Sequence, residues 1–211
     1  MTEKKSKIII SVIVMLIVFV SGCTDNSINR NLDFSAGLNK WEIAHSSNVE
    51  DAWNISVIQK DDSYKNVLDF WRDNSASDGG AVRVKQKLDF DVSKKQLLIL
   101  EADVKVISHT LDGSGWWYDT HPGEGDYPVH IFLIYNDTTG KQQVWSWGFL
   151  TGSNPNTKTN YDIVNASEWY HFTSQNLMEL VPRPEIITNI YVGGSGWDFQ
   201  GRIDNTKIIA S

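Results

Sequence analysis

Between Leu111 and Phe149 the chain gathers side chains suited to stacking and hydrogen bonding. Trp116, Trp117 and Tyr118 follow a Gly-Ser-Gly run, and Asp119, His121, Glu124 and Tyr127 come directly after them. Val144-Trp145-Ser146-Trp147-Gly148-Phe149 closes the stretch, so four of the nine tryptophans fall within it. Aromatic rings offer flat apolar faces, and carboxylates and imidazoles exchange hydrogen bonds with hydroxyl groups. Glycines mark the first half as a loop, where large exposed rings call for a ligand to explain them. Trp197, in Gly193-Gly194-Ser195-Gly196-Trp197-Asp198, repeats the pattern. The expected ligand-binding set is Trp116, Trp117, Tyr118, Asp119, His121, Glu124, Tyr127, Trp145 and Trp197.

The same residues make a poor catalyst. Asp119, Glu124 and Asp126 are close in sequence, and glycoside hydrolysis needs two carboxyl groups flanking the scissile bond. Acids in a polar loop, however, are ordinarily solvated turn residues. The chain has no Glu-x-Asp-x-x-Glu run and no Gly-x-Ser-x-Gly, and Ser195 has no evident base beside it. His121-x-x-Glu124 with His130 lacks the helical or strand frame of zinc signatures. No catalytic residue is assigned.

The elements that must position these residues are strands. Trp53–Val57 alternates apolar and polar residues. In Ala81–Phe90, Val82, Val84, Leu88 and Phe90 share one face, opposite Arg83, Lys85 and Lys87. In Leu97–Ile107 the apolar face alternates with Glu101, Asp103 and Lys105. Period-two alternation marks strands with one buried face, and the basic face of the first is expected to pair with the acidic face of the second. Val129–Tyr135 is apolar on both faces, as in a central strand or one whose second face binds something. A turn at Asn136–Gly140 returns it as a hairpin through Gln142–Leu150. Trp145, Trp147 and Phe149 then share one strand face, with Trp147 and Phe149 expected in the core and Trp145 at the border of the site. Trp169–Leu177, Ile186–Val192 and Arg202–Ile209 complete about nine strands, an all-β sandwich with no long amphipathic helix.

A basic start, Lys4-Lys5-Ser6-Lys7, precedes an apolar run from Ile8 to Val20, the pattern of an export signal. Val20-Ser21-Gly22-Cys23 resembles the lipobox of prokaryotic lipoproteins, with Cys23 as the lipidated residue and the chain's single cysteine. The expected organisation is a signal over residues 1–22, a polar tether over 23–31 and one domain over 32–211. That organisation implies export and anchoring to the outer face of the cell membrane through lipid on Cys23. A formal net charge of −7 argues against a nucleic-acid partner.

Asn31-Leu32-Asp33-Phe34-Ser35-Ala36-Gly37-Leu38-Asn39-Lys40-Trp41 resembles the entry strand of carbohydrate-binding modules with a galactose-binding-like jelly roll. Gly201-Arg202-Ile203-Asp204-Asn205-Thr206-Lys207-Ile208-Ile209 resembles their closing strand, and Ser167-Glu168-Trp169-Tyr170-His171-Phe172 the aromatic strand before it. The resemblance implies a jelly-roll β-sandwich whose first and last strands are neighbours. It also implies a structural calcium, for which Asp33 and Asp204 match the ligand positions; Ser35 stands where the family often has Glu. The function so implied is non-catalytic binding of a glycan or cell-envelope polymer. A structural or protein-interaction module of the envelope, or a glycan hydrolase or lyase, are the alternatives. Asn54, Asn136 and Asn165 lie in glycosylation sequons.

Overall fold

The computed structural model describes residues 27–46, 49–73, 79–111, 126–153 and 160–211. These form eleven strands: β1 (Glu42–His45), β2 (Trp53–Ile58), β3 (Val67–Arg72), β4 (Gly80–Asp91), β5 (Leu98–His109), β6 (Val129–Asp137), β7 (Gln142–Leu150), β8 (Tyr161–Ile163), β9 (Tyr170–Thr173), β10 (Pro184–Gly196) and β11 (Phe199–Ala210). They build a six-stranded sheet, β1-β4-β10-β6-β7-β8, and a five-stranded sheet, β2-β3-β11-β5-β9. All pairings are antiparallel except β7 with β8. β1, β3 and β8 were not expected: β1 and β8, four and three residues long, carry too little alternation to be read from sequence, and β3 is buried along nearly its whole length and so shows none.

The alternating positions meet between the sheets. Val82 and Val84 of β4 and Leu98, Leu100, Ala102, Val104 and Val106 of β5 are fully buried. Each such side chain contributes on the order of 1.5–3 kcal/mol when removed from water, and with no disulfide available this layer is what holds the sandwich together. Val129, Ile131, Leu133 and Tyr135 of β6 enter the same core, as do Trp145 and Phe149 of β7, with Trp147 packed against it.

Three expectations change. β4 and β5 lie in different sheets, so their outer charges do not meet across a ladder. Lys85 instead pairs with Glu42 of β1 at 3.0 Å, Lys105 with Asp61 and Asp62 at 2.9 Å each, and Lys207 with Glu101 at 2.7 Å. Asn31–Trp41 is a series of turns rather than a strand; it is anchored by buried Phe34 and Trp41, whose rings lie 5.6 Å apart. The polar stretch expected to be a tether is stitched to the fold from Ser27 onward. Ser27 bridges Ile209, the Ile28 amide donates to the Ile208 carbonyl at 2.8 Å, and buried Asn29 bonds both Thr206 and Ile208.

The glycine run 193–196, read as loop, continues β10. Gly193 has φ +155°, and a Cβ there would sit 2.2 Å from the Val82 carbonyl oxygen, so only glycine permits this approach of β10 to β4. Trp197 and Asp198 form the turn into β11. β11 therefore separates two poles: a near pole, where Ser27 meets Ile209, and a far pole, where Trp197 precedes Phe199.

Candidate functional site

Because Val129, Ile131, Leu133 and Tyr135 face the core, the alternate residues His130, Phe132 and Ile134 lie on the outer face of the six-stranded sheet. A row of rings crosses that face. Phe132 of β6 and Tyr191 of β10 are register partners, stacked at 4.5 Å with planes 14° apart. His130 lies 5.4 Å from Phe132, Tyr127 lies 5.4 Å from His130, and Tyr161 of β8 follows 6.5 Å beyond. Gly148 of β7 makes room for the row: a Cβ there would fall 2.3 Å from the Tyr127 ring.

Charged groups border the rings. The Arg83 guanidinium sits over Phe132, 4.8 Å from its centroid. Lys85, opposite Tyr191 on β4, is ion-paired to exposed Glu42. Burial raises the Asp126 pKa above the ordinary carboxylate range, opposed by the Arg83 charge. Burial, then the same Arg83 charge, holds His130 well below the usual imidazole value, and neither ring nitrogen has a hydrogen-bond partner among the described residues. Tyr191, Tyr161 and Lys85 are half-buried and reachable from solvent, whereas Arg83, Tyr127, His130 and Phe132 are buried. The accessible surface is thus two rings at the ends of the row, one beside a lysine–glutamate pair. Stacking on a ring's C–H face and hydrogen bonding to hydroxyls is what this arrangement can do.

The expected site residues divide. Trp116, Trp117, Tyr118, Asp119, His121 and Glu124 lie outside the described residues. Trp145 is corrected: it is 5% exposed, in the inter-sheet core, opposite Leu133 and 6.2 Å from Trp147. Side-chain period two puts it on the same face as Trp147 and Phe149, and that face is the core. Tyr127 belongs to the ring row yet is 1% exposed, so no ligand stacks on it as the fold stands. Trp197 is 49% exposed at the far pole, its indole nitrogen packed against Gly79. The structure does not bring Trp145 or Trp197 to the row. Tyr191, Phe132, Tyr161, Arg83 and Lys85 were missed. Their signal was the doubly apolar β6, whose second face was one of two readings.

Asp33 and Asp204 do approach each other. Asp33 accepts hydrogen bonds from Ser35 (N at 3.2 Å, Oγ at 2.8 Å), which outweigh the opposing effect of burial and leave it below the ordinary carboxylate value. Asp204 is pushed up to about 7, by burial first and also by the charges of Asp103 and Asp33, against a backbone hydrogen bond from Asn205. Such crowding favours a cation electrostatically. Among the described residues, however, no three His, Cys, Asp or Glu side chains converge as a metal group, so the other oxygens would come from backbone and water. Of the sequon residues, Asn54 and Asn165 are exposed and Asn136 is half-buried; the Asn165 amide donates to Glu168 at 2.8 Å.

No protein family and no curated protein matches the sequence. Among solved structures, a putative sugar binding protein from Bacteroides thetaiotaomicron is similar over 88% of this chain and 100% of its own, at 11% identity and TM-score 0.50. TmCBM61 in complex with beta-1,4-galactotriose is similar over 88% and 99%, at 13% identity and TM-score 0.47. The family 11 carbohydrate-binding module of the cellulosomal cellulase Lic26A-Cel5E of Clostridium thermocellum is similar over 85% and 93%, at 13% identity and TM-score 0.46. At these identities the likeness is one of fold alone, a β-sandwich.

Proposed function

We propose that this chain is an exported, membrane-tethered module that binds a glycan or envelope polymer without cleaving it. The observation that carries the reading is the ring row, ending in the accessible Tyr191 beside Lys85 and Glu42. Tyr191 and Tyr161 lie three strands apart, roughly 15 Å at the usual strand spacing, which suits an oligosaccharide of a few units rather than a single ring. Glu42 is held by Lys85, and Asp126 feels the Arg83 charge; these carboxyls orient hydroxyls in this reading and transfer no proton. Lipid on Cys23 supplies the tether, and a calcium between Asp33 and Asp204 would offset their repulsion. Trp197, exposed at the far pole and away from the row, would make a separate contact.

Affinity electrophoresis of the protein in gels containing plant and microbial polysaccharides tests this. Retention by at least one polymer is expected, reduced ten-fold or more in Tyr191→Ala and unchanged in Trp145→Phe. Equal retention of wild type and Tyr191→Ala would move binding off this face.

A further inference from the structure

The two poles of the sandwich differ in charge. The connections at the near pole carry Lys60, Lys65, Lys94, Lys95, Lys141 and Arg183 against Asp61, Asp62 and Glu179. Those at the far pole carry Glu50, Asp51, Asp73, Asp126, Glu168 and Asp198, and no Lys or Arg among their described residues. Near-pole acids are partly neutralised within the fold: Asp61 and Asp62 hold Lys105, and Asp61 also holds Arg202. A cleft of about 620 Å³ opens at this pole beside Ser27, lined by Arg30, Lys40, Lys87 and Lys95 over an apolar floor that includes Leu88 and Phe90. Lys87 is paired with Asp89 at 2.7 Å. Arg30, Lys40 and Lys95 form no side-chain ion pair among the described residues.

The chain itself says what this pole faces. Ser27 is fixed to Ile209, and Cys23 precedes it by four residues, a reach of about 14 Å at full extension. A lipid on Cys23 would hold the near pole within that distance of the bilayer. That is close enough for its cations to feel an anionic surface, whose potential decays over roughly 8–10 Å at ordinary ionic strength. We propose that the near pole is a docking surface for the anionic phospholipid headgroups of the anchoring membrane, with the cleft of Arg30, Lys40 and Lys95 at its centre. The docked domain stands upright, its acidic far pole with Trp197 repelled from the membrane and turned outward. Each unpaired cation brought to such a surface strengthens the contact about five-fold.

The proposal rests on the lipid-anchor reading, and one experiment separates the two. The full chain, reconstituted in phosphatidylglycerol-containing or pure phosphatidylcholine vesicles, is treated with an amine-acylating reagent and mapped by mass spectrometry. Acylation of Lys40 and Lys95 should fall at least five-fold in the anionic vesicles relative to the neutral ones, return in 1 M salt, and leave Lys85 unchanged. In Lys40→Glu/Lys95→Glu, protection of Lys94 and Lys141 should be lost. Equal labelling in both vesicle types would overturn the docking surface. The mass of the peptide carrying Cys23, read in the same spectra, reports the lipid independently: protection without lipid refutes only the anchor, and lipid without protection refutes only the docking.

Discussion

Asp204 of β11 and Asp103 of β5 are register partners across their ladder, two carboxylates side by side on one sheet face. Asp103 accepts a hydrogen bond from Asn205 Nδ2 at 2.7 Å and lies 2.7 Å from His171 Nδ1. Asp204 is 3% exposed and receives one backbone donor, Asn205 N at 2.7 Å. Burial, and then the charges of neighbouring Asp103 and Asp33, push Asp204 up to about 7.

The pH dependence follows in sign. A carboxyl whose pKa is raised in the folded protein binds a proton that the unfolded chain releases near 3.8. Its stabilising contribution is therefore complete below about pH 4 and is lost as pH rises through about 7. Asp204→Asn should flatten this decline and stabilise the protein at pH 8 by roughly 1–3 kcal/mol. Thermal unfolding in chelator from pH 4 to 8 reads it, and parallel curves for wild type and variant would refute it. Calcium added at pH 8 should raise the wild-type midpoint and not the variant's.

Asp61 governs the opposite limb. Burial pushes its pKa up, but hydrogen bonds from Lys105 and Arg202 outweigh that and hold it below 3.8. Its contribution is present above about pH 4 and disappears as pH falls through the lowered folded value. Asp61→Asn leaves Lys105, 5% exposed, short of one carboxylate, and should destabilise the fold by about 2–4 kcal/mol at neutral pH. Urea denaturation measures this; a change under about 0.5 kcal/mol would show the network to be dispensable.

Gly148 has one neighbour that cannot retreat. With the Tyr127 ring 2.3 Å from the position of an added Cβ, Gly148→Ala should cost about 1–3 kcal/mol. The displaced ring should also disturb His130, a change visible in its imidazole NMR resonances. A variant with wild-type stability and unshifted His130 signals would mean that the ring packs elsewhere.

His130 is fully buried, and among the described residues neither of its nitrogens has a partner. Its folded pKa lies well below 6.5, so unfolding takes up a proton and stability falls as pH drops below about 6.5. His130→Phe fills similar space without polar atoms and should be neutral to stabilising, increasingly so toward pH 5. Marked destabilisation at pH 7 would indicate that the imidazole has a partner such as a bound water.

The sandwich was legible wherever one strand face is apolar: β4, β5 and β11 follow from alternation, β6 from its apolar run, and the β6–β7 hairpin from its Asn136–Gly140 turn. Strand neighbours were not, because period two says which face is buried and nothing about which sheet a strand joins. That is why β4 and β5 were wrongly paired. Trp145 misled for a related reason. Alternation put it on one face with Trp147 and Phe149, and only the core's location told which face that was. The accessible rings Tyr191 and Tyr161 come from β10 and β8, 30 positions apart in sequence, and nothing local announces that the fold sets them at the ends of one row.

The stitching of Ser27 to Ile209 has a mechanical consequence. Ser27 joins near the last residue of β11, and Trp197 sits just before its first, so the strand spans roughly 33 Å between the two attachments. A pull between the chain's amino-terminal side and anything gripped at the far pole runs along β11. The hydrogen bonds of β11 with β3 and β5 would then be loaded together in shear rather than peeled one after another. The strand at the centre of its sheet is also the one placed to carry tension across the molecule.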